Sequence, residues 1–323
     1  MDSSLPVLVT ASYTGIISLW NTSKSEWTID TEVIPEGTYQ EYTINRLCIS
    51  EDKKNLAAGC TNGLRMYDIK PDRFVQRNFI EEKSNVTSLG FDINNNWVYY
   101  ATEAGKLNIY DVRASNKSTL FSQEVDINCT ALNPNQAEII FGDAKGNLKV
   151  FDVTANKINT TLCVSKNVGI RSLAFSLDAS LLAVVDSIGY LRTLTISKAE
   201  VLTEMNSKKI HDDYILNVRI SNDKKYLITS SADKTIKVFE LMDKNVIKED
   251  KTLFGHTKWV WDIDALSDSK HLLSVSTDGF LKCWRIDNGC LVKEYYNAYR
   301  VSSDGKKHLK KGFVAVAVKD RKI

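Results

Sequence analysis

Seven times along the chain a short apolar run closes on a bulky residue, and the spacing between copies hardly changes. The copies read ISLWN, LRMYD, LNIYD, LKVFD, LRTLT, IKVFE and LKCWR, and their bulky residues are Trp20, Tyr67, Tyr110, Phe151, Leu194, Phe239 and Trp284. Successive spacings are 47, 43, 41, 43, 45 and 45 residues. A repeat of roughly 40–45 residues is the length of a four-stranded propeller blade.

Each copy carries the same local grammar. A turn signal stands a few residues before the bulky residue: Gly15, Gly63, Gly105, Gly146, Gly189, Lys234 (in SADKT) or Gly279. Glycine tolerates the positive φ of a tight hairpin. Before each turn runs an apolar strand, VLVTAS, NLAAGC, WVYYAT, EIIFGD, LLAVVD, YLITSS or HLLSVS. Six of the seven hairpins have one further strand upstream, INRLCIS, VTSLGFD, INCTALN, IRSLAFS, ILNVRIS and VWDIDAL. The first hairpin has none, while FVAVAV at 313–318 is left without a hairpin of its own. Joining these two remainders closes a ring and removes the free sheet edges that promote aggregation. The expected fold is therefore all-β: a seven-bladed propeller spanning 1–323, with one blade built from the N-terminal strands and the C-terminal strand.

The last repeat holds His256, Ser274, Asp278 and Trp284. These residue types match the WD-repeat tetrad, in which a turn aspartate, a histidine, a serine or threonine and a tryptophan pass hydrogen bonds along the blade. The sixth repeat has His211, Thr229 and Asp233, with Phe239 in place of the tryptophan. A hydrolytic triad uses similar side chains but needs an exposed serine oxygen and an oxyanion hole. No GxSxG-type elbow is present. A catalytic site is not expected to recur one blade away in degraded form, whereas a structural clamp is.

Composition narrows the function classes. Hydrophobic residues make up 43% and charged residues 25%, with a net charge of +2, which gives no electrostatic case for nucleic acid or an anionic membrane. No apolar run approaches the roughly 18 residues of a membrane span. The opening MDSSLPVLVTASYTG lacks a basic n-region and does not read as a signal peptide. The six cysteines, at 48, 60, 129, 163, 283 and 290, form no C-x-x-C pair and no zinc spacing. Reduced thiols, a cytoplasmic location, no metal and no cofactor are the expectations. Only four histidines exist, at 211, 256, 271 and 308, too few to line the channel of an enzyme.

The segments INCTALNPNQAEIIFGDAKGNLKVFD, HDDYILNVRISNDKKYLITSSADKTIKVFE, GHTKWVWDIDALSDSKHLLSVSTDGFLKCW and INRLCISEDKKNLAAGCTNGLRMYDI resemble the fourth, sixth, seventh and second repeats of one family. It is the small WD-repeat subunit of the TOR kinase complexes, also called GβL, and the resemblance runs from VLVTAS to FVAVAV. It implies a non-catalytic subunit, shared by TOR complexes 1 and 2, that packs on the TOR kinase domain and supports its activity and assembly in growth and nutrient signalling. Endomembrane association would then come only through the kinase complex. Two departures stand out. EGTYQEYTIN replaces a segment where the family carries a histidine, and NAYRVSSDGKKHLKKG is inserted before the last strand. The insert makes 297–312 a basic loop, with four lysines and a histidine at 306–311.

The loops entering the inner strands share one face of a propeller. Just before those strands stand Thr43, Asn85, Asp126, Gly169, Tyr214 and Trp259. Tyr214 and Trp259 are aromatics at equivalent positions of adjacent blades, and aromatics lead among interface hot spots. They are the first candidates for partner contact, with Trp261 extending the patch or filling a seam between blades. Asp126 and Asn128 are secondary candidates that could equally cap a local turn. The competing function is a peptide-binding adaptor, such as a ubiquitin-ligase substrate receptor, although such adaptors commonly carry an added docking domain.

Overall fold

The computed structural model describes residues 7–22, 26–33, 42–70, 73–135, 137–196, 202–242, 247–296, 299–301, 307–309 and 312–319. They form seven four-stranded antiparallel sheets arranged as a ring, numbered here in chain order as blades 1 to 7. The inner strands of blades 2 to 7 are Ile44–Ile49, Val86–Phe91, Ile127–Leu132, Ile170–Phe175, Ile215–Ile220 and Val260–Ala265. Blade 1 takes its inner strand, Phe313–Lys319, from the far end of the chain, paired antiparallel with Val7–Ser12 from Val7↔Lys319 to Ser12↔Phe313. The closure expected from the orphan strand is the one observed.

Burial explains the loss of alternation in the second strands. Val7–Ser12 and Glu138–Asp143 are buried at every position, because each sheet is sandwiched between two neighbours. Side chains still alternate between the two seams. Val7, Val9 and Ala11 pack toward blade 2, while Leu8 packs toward blade 7. The core consists of seven apolar clusters, one in each seam. The outer strands, such as Leu202–Lys209 (LTEMNSKK) and Ile247–Leu253 (IKEDKTL), are largely exposed.

The hairpin turns take positive φ as their sequences require, Gly146 at 85° and Gly279 at 90° among them. A Cβ at Gly146 would sit 1.7 Å from the Ser165 carbonyl oxygen, so no side chain fits there. Blade 6 places Lys234 at the same turn position with φ 76°, a left-handed conformation that disfavours a residue with a Cβ.

Closure is reinforced from the side. The Val316 and Val318 amides donate to Asp262 Oδ2 and Asp264 Oδ2 at 3.0 and 2.9 Å, tying the last inner strand to that of blade 7. Within the basic insert, Tyr299–Val301 pairs with Lys307–Leu309 as a short hairpin. Lys306, Lys310 and Lys311 of that loop lie outside the described residues.

Candidate partner-binding surface

In blade 7 the four tetrad side chains are brought together. His256 Nδ1 lies 2.9 Å from Asp278 Oδ2, and His256 Nε2 lies 2.8 Å from Ser274 Oγ. Trp284 Nε1 donates to the same Ser274 oxygen at 2.8 Å. An ionised carboxylate only accepts, so the Nδ1 proton goes to Asp278 and Nε2 accepts the serine hydroxyl. Asp278 also accepts the Thr257 and Phe280 amides. Burial opposes its charge, but the bonds from His256 and the two amides hold its carboxyl below the ordinary value. Ser274 is completely buried and already bonded to two rings, so it has no route to a substrate.

Blade 6 repeats the first half of this chain. His211 bridges Asp233 at 2.7 Å and Thr229 at 2.8 Å, and Phe239 fills the tryptophan position without a donor, fully buried. Blade 1 keeps the other half: Trp20 Nε1 donates to Thr10 Oγ1 at 2.9 Å. Blade 5 substitutes a different device, in which buried Asp186 receives the Ile188 and Tyr190 amides and a 2.7 Å bond from Arg192. The clusters centred on Asp278, Asp233 and Asp186 brace turns, and the Trp20–Thr10 bond ties two strands.

The six residues that precede the inner strands do occupy equivalent places. The carbonyls of Thr43, Asn85, Asp126, Gly169, Tyr214 and Trp259 each accept an amide from the turn of their own blade. The next feature was not read from the sequence. Every inner strand from blade 2 to blade 7 skips one residue in its register, leaving Asn45, Thr87, Asn128, Arg171, Leu216 and Trp261 unpaired. Such bulges re-aim side chains, and here all six line a cavity of about 270 Å³ at the channel mouth.

Three of the six link neighbouring blades. Asn45 Nδ2 donates to the Val86 carbonyl at 3.0 Å, Thr87 Oγ1 to Ile127 at 2.5 Å, and Asn128 Nδ2 to Ile170 at 3.0 Å. Asn128 thus bonds blade 4 to blade 5 rather than capping its own turn. Asp126 is half-buried on the same blade and is not part of the aromatic group described next.

Tyr214, Trp259 and Trp261 form one continuous arc. Ring centroids are 6.3 Å apart for Tyr214–Trp259 and 5.4 Å for Trp259–Trp261. Tyr13 of blade 1, which sequence reasoning missed, extends the arc edge-on to Trp261 at 6.2 Å. Arg171 of blade 5 caps the other end, its guanidinium 5.2 Å from the Tyr214 ring centre. Trp259, Tyr214 and Tyr13 are 40%, 39% and 39% exposed, and with Trp261 they make one contiguous patch of the kind that marks interaction sites. Trp261 is half-buried against the seam of blades 1 and 2, and its indole N–H is already bonded to Thr277 Oγ1 at 3.0 Å.

Comparison with known proteins agrees with this architecture. The WD domain, G-beta repeat, matches residues 203–240 and 247–285, the two repeats that hold the His211–Asp233 and His256–Asp278 pairs. A solved protein structure from Lactobacillus plantarum shares the fold at a TM-score of 0.80, covering 98% of this chain and 99% of that one at 15% identity. Target of rapamycin complex subunit LST8 of Bos taurus is 32% identical over 270 residues, 79% of this chain and 80% of its own. An Arabidopsis thaliana relative named non-functional target of rapamycin complex subunit LST8-2 is 29% identical over 270 residues, 81% of this chain and 83% of its own. With the seven-bladed ring, the WD repeats and this similarity along four-fifths of its length, the chain belongs to the LST8 family.

Proposed function

We propose that this chain is a non-catalytic subunit of a target of rapamycin assembly, docking on the TOR kinase domain and supporting assembly and activity of TOR complexes 1 and 2. The observation that carries the reading is the exposed arc Tyr214–Trp259–Trp261–Tyr13, which spans three consecutive blades on one rim. Family membership supplies the identity of the partner, since the relatives carry that complex in their names. One relative is named non-functional, so the reading joins membership, which points to the complex, to the arc, which supplies a surface for contact. The non-catalytic part of the reading is supported by the burial of Ser274 within its tetrad. A cytoplasmic location, with any endomembrane association coming through the kinase, belongs to the same reading.

The test is recovery of the tagged chain's partners from its own cells, comparing wild type with Trp259→Ala. Truncating a central aromatic hot spot costs roughly 2 kcal/mol or more, a loss of affinity of at least about 25-fold. Wild type is expected to bring down a very large kinase and the variant to lose it, with an unchanged thermal midpoint. Recovery by both removes Trp259 as the anchor. Recovery of a cullin-type ligase in place of the kinase overturns the proposal.

A further inference from the structure

The bulged residues of blades 5, 6 and 7 break the pattern set by Asn45, Thr87 and Asn128. Arg171, Leu216 and Trp261 make no bond to the first carbonyl of the next blade. Arg171 uses Nε on Ser187 Oγ at 3.2 Å, and beyond the Tyr214 ring its two terminal nitrogens make no hydrogen bond among the described residues. Arg46 reaches across the channel from blade 2, where its terminal nitrogens meet the Leu216 carbonyl and Asp262 Oδ1, both at the long distance of 3.4 Å. The mouth therefore offers two guanidinium groups together with the Trp261 and Tyr13 rings, all lining one cavity.

Three observations select a ligand. Guanidinium forks bind carboxylates and phosphates through paired charge-assisted bonds. Glu103 shares the rim and Asp262 already offsets part of the Arg46 charge, which favours one negative charge over the two of a phosphate. The volume of about 270 Å³ falls just below the roughly 300–1,000 Å³ of sites that take a whole small molecule, and suits an inserted side chain.

We infer that the channel mouth is a subsite for an aspartate or glutamate side chain of a partner polypeptide, gripped by Arg171 and Arg46, with an adjacent apolar residue of that segment lying on the Trp261–Tyr13 rings. This deepens the docking reading above by naming the chemistry of the segment. It stands independently of which protein supplies that segment.

The experiment selects displayed random peptides on the purified full-length chain, then measures the chosen peptide by fluorescence polarisation. An acidic residue next to an apolar one is the expected consensus. Replacing that residue by its amide is expected to weaken binding at least tenfold in wild type and to have little further effect in Arg171→Gln. Arg171 is exposed and outside the seams, so that variant is expected to keep the wild-type thermal midpoint. Arg171→Lys is expected to recover part of the affinity. Selection of peptides without an acidic residue, or equal affinity of acid and amide forms, overturns the inference. Inorganic phosphate displacing the peptide at lower concentration than acetate overturns the carboxylate assignment. Kinase binding that fails while the acidic consensus is obtained removes the kinase reading and leaves this one standing.

Discussion

Ser274 receives an indole N–H on one side and gives its own proton to an imidazole on the other, all without contact with solvent. Trp284→Phe removes the first of these bonds and leaves a small void beside the serine. A lost hydrogen bond costs about 0.5–1.5 kcal/mol, and each kcal/mol lowers the midpoint of a domain of 150–250 residues by about 2–4 °C. The shift per kcal/mol shrinks with chain length, so for 323 residues a drop of about 1–2 °C in thermal scanning is the expected result. Blade 6 lives without that bond because Phe239 fills the space completely, so Phe239→Ala is expected to be the more damaging change. Asp233 adds a pH dependence. Burial raises its carboxyl, but bonds from His211 and Thr235 outweigh it, and the value lies well below the ordinary 3.8. A group lowered on folding stabilises the fold above its unfolded value and loses that contribution as pH falls. Wild type should therefore lose stability as pH drops below 3.8, and Asp233→Asn should lose less over the same window. A midpoint series from pH 5 to pH 2 checks this.

At the scale of elements, the strands differ in how openly their sequences declare them. VLVTAS and EIIFGD are buried on both faces, so composition alone marks them. The outer strands LTEMNSKK and IKEDKTL carry mostly exposed polar residues. Their pairing is fixed by the preceding strand, which no local pattern in their own residues reveals. The bulges leave a trace in the sequence. Ile44 and Leu47, Val86 and Leu89, Ile170 and Leu173, Ile215 and Val218, and Val260 and Ile263 are each three residues apart. Residues on one face of a regular strand are separated by even steps, so an odd step repeated five times signals one inserted residue. The bond from Asn128 to blade 5 and the place of Arg171 in the cavity both follow from that inserted residue, whereas the pairing of the Tyr214 and Trp259 rings follows from their equivalent positions in adjacent blades. Tyr13 was missed because it comes from a turn of blade 1, which lacked a visible inner strand in its own repeat. The closing strand gives the prediction at this scale. Asp264→Ala deletes the acceptor of the Val318 amide. Faster hydrogen exchange at Val318, with the amides of Val86–Phe91 unchanged, is the expected result; uniform acceleration would mean that the ring opens as a whole.

The molecule as a whole is seven small cores in series, and series architectures depend on each unit having two neighbours. Deleting 313–319 strips blade 1 of its inner strand and leaves Val7–Ser12 and blade 7 facing an unfilled seam. Open edges pair with other chains, so this truncation is expected to elute as large aggregates in size-exclusion chromatography. A soluble monomer with native circular dichroism would show that six complete blades suffice. The joint between the two chain ends also sets a clock. All the other blade sheets pair strands that follow one another closely in sequence, whereas Val7–Ser12 must meet a partner near the opposite end of the chain. At about 5–20 residues per second, a ribosome takes on the order of 15–60 s to cover that distance. For that interval the first hairpin exists without its inner strand, and its period of greatest vulnerability is decided by the speed of translation.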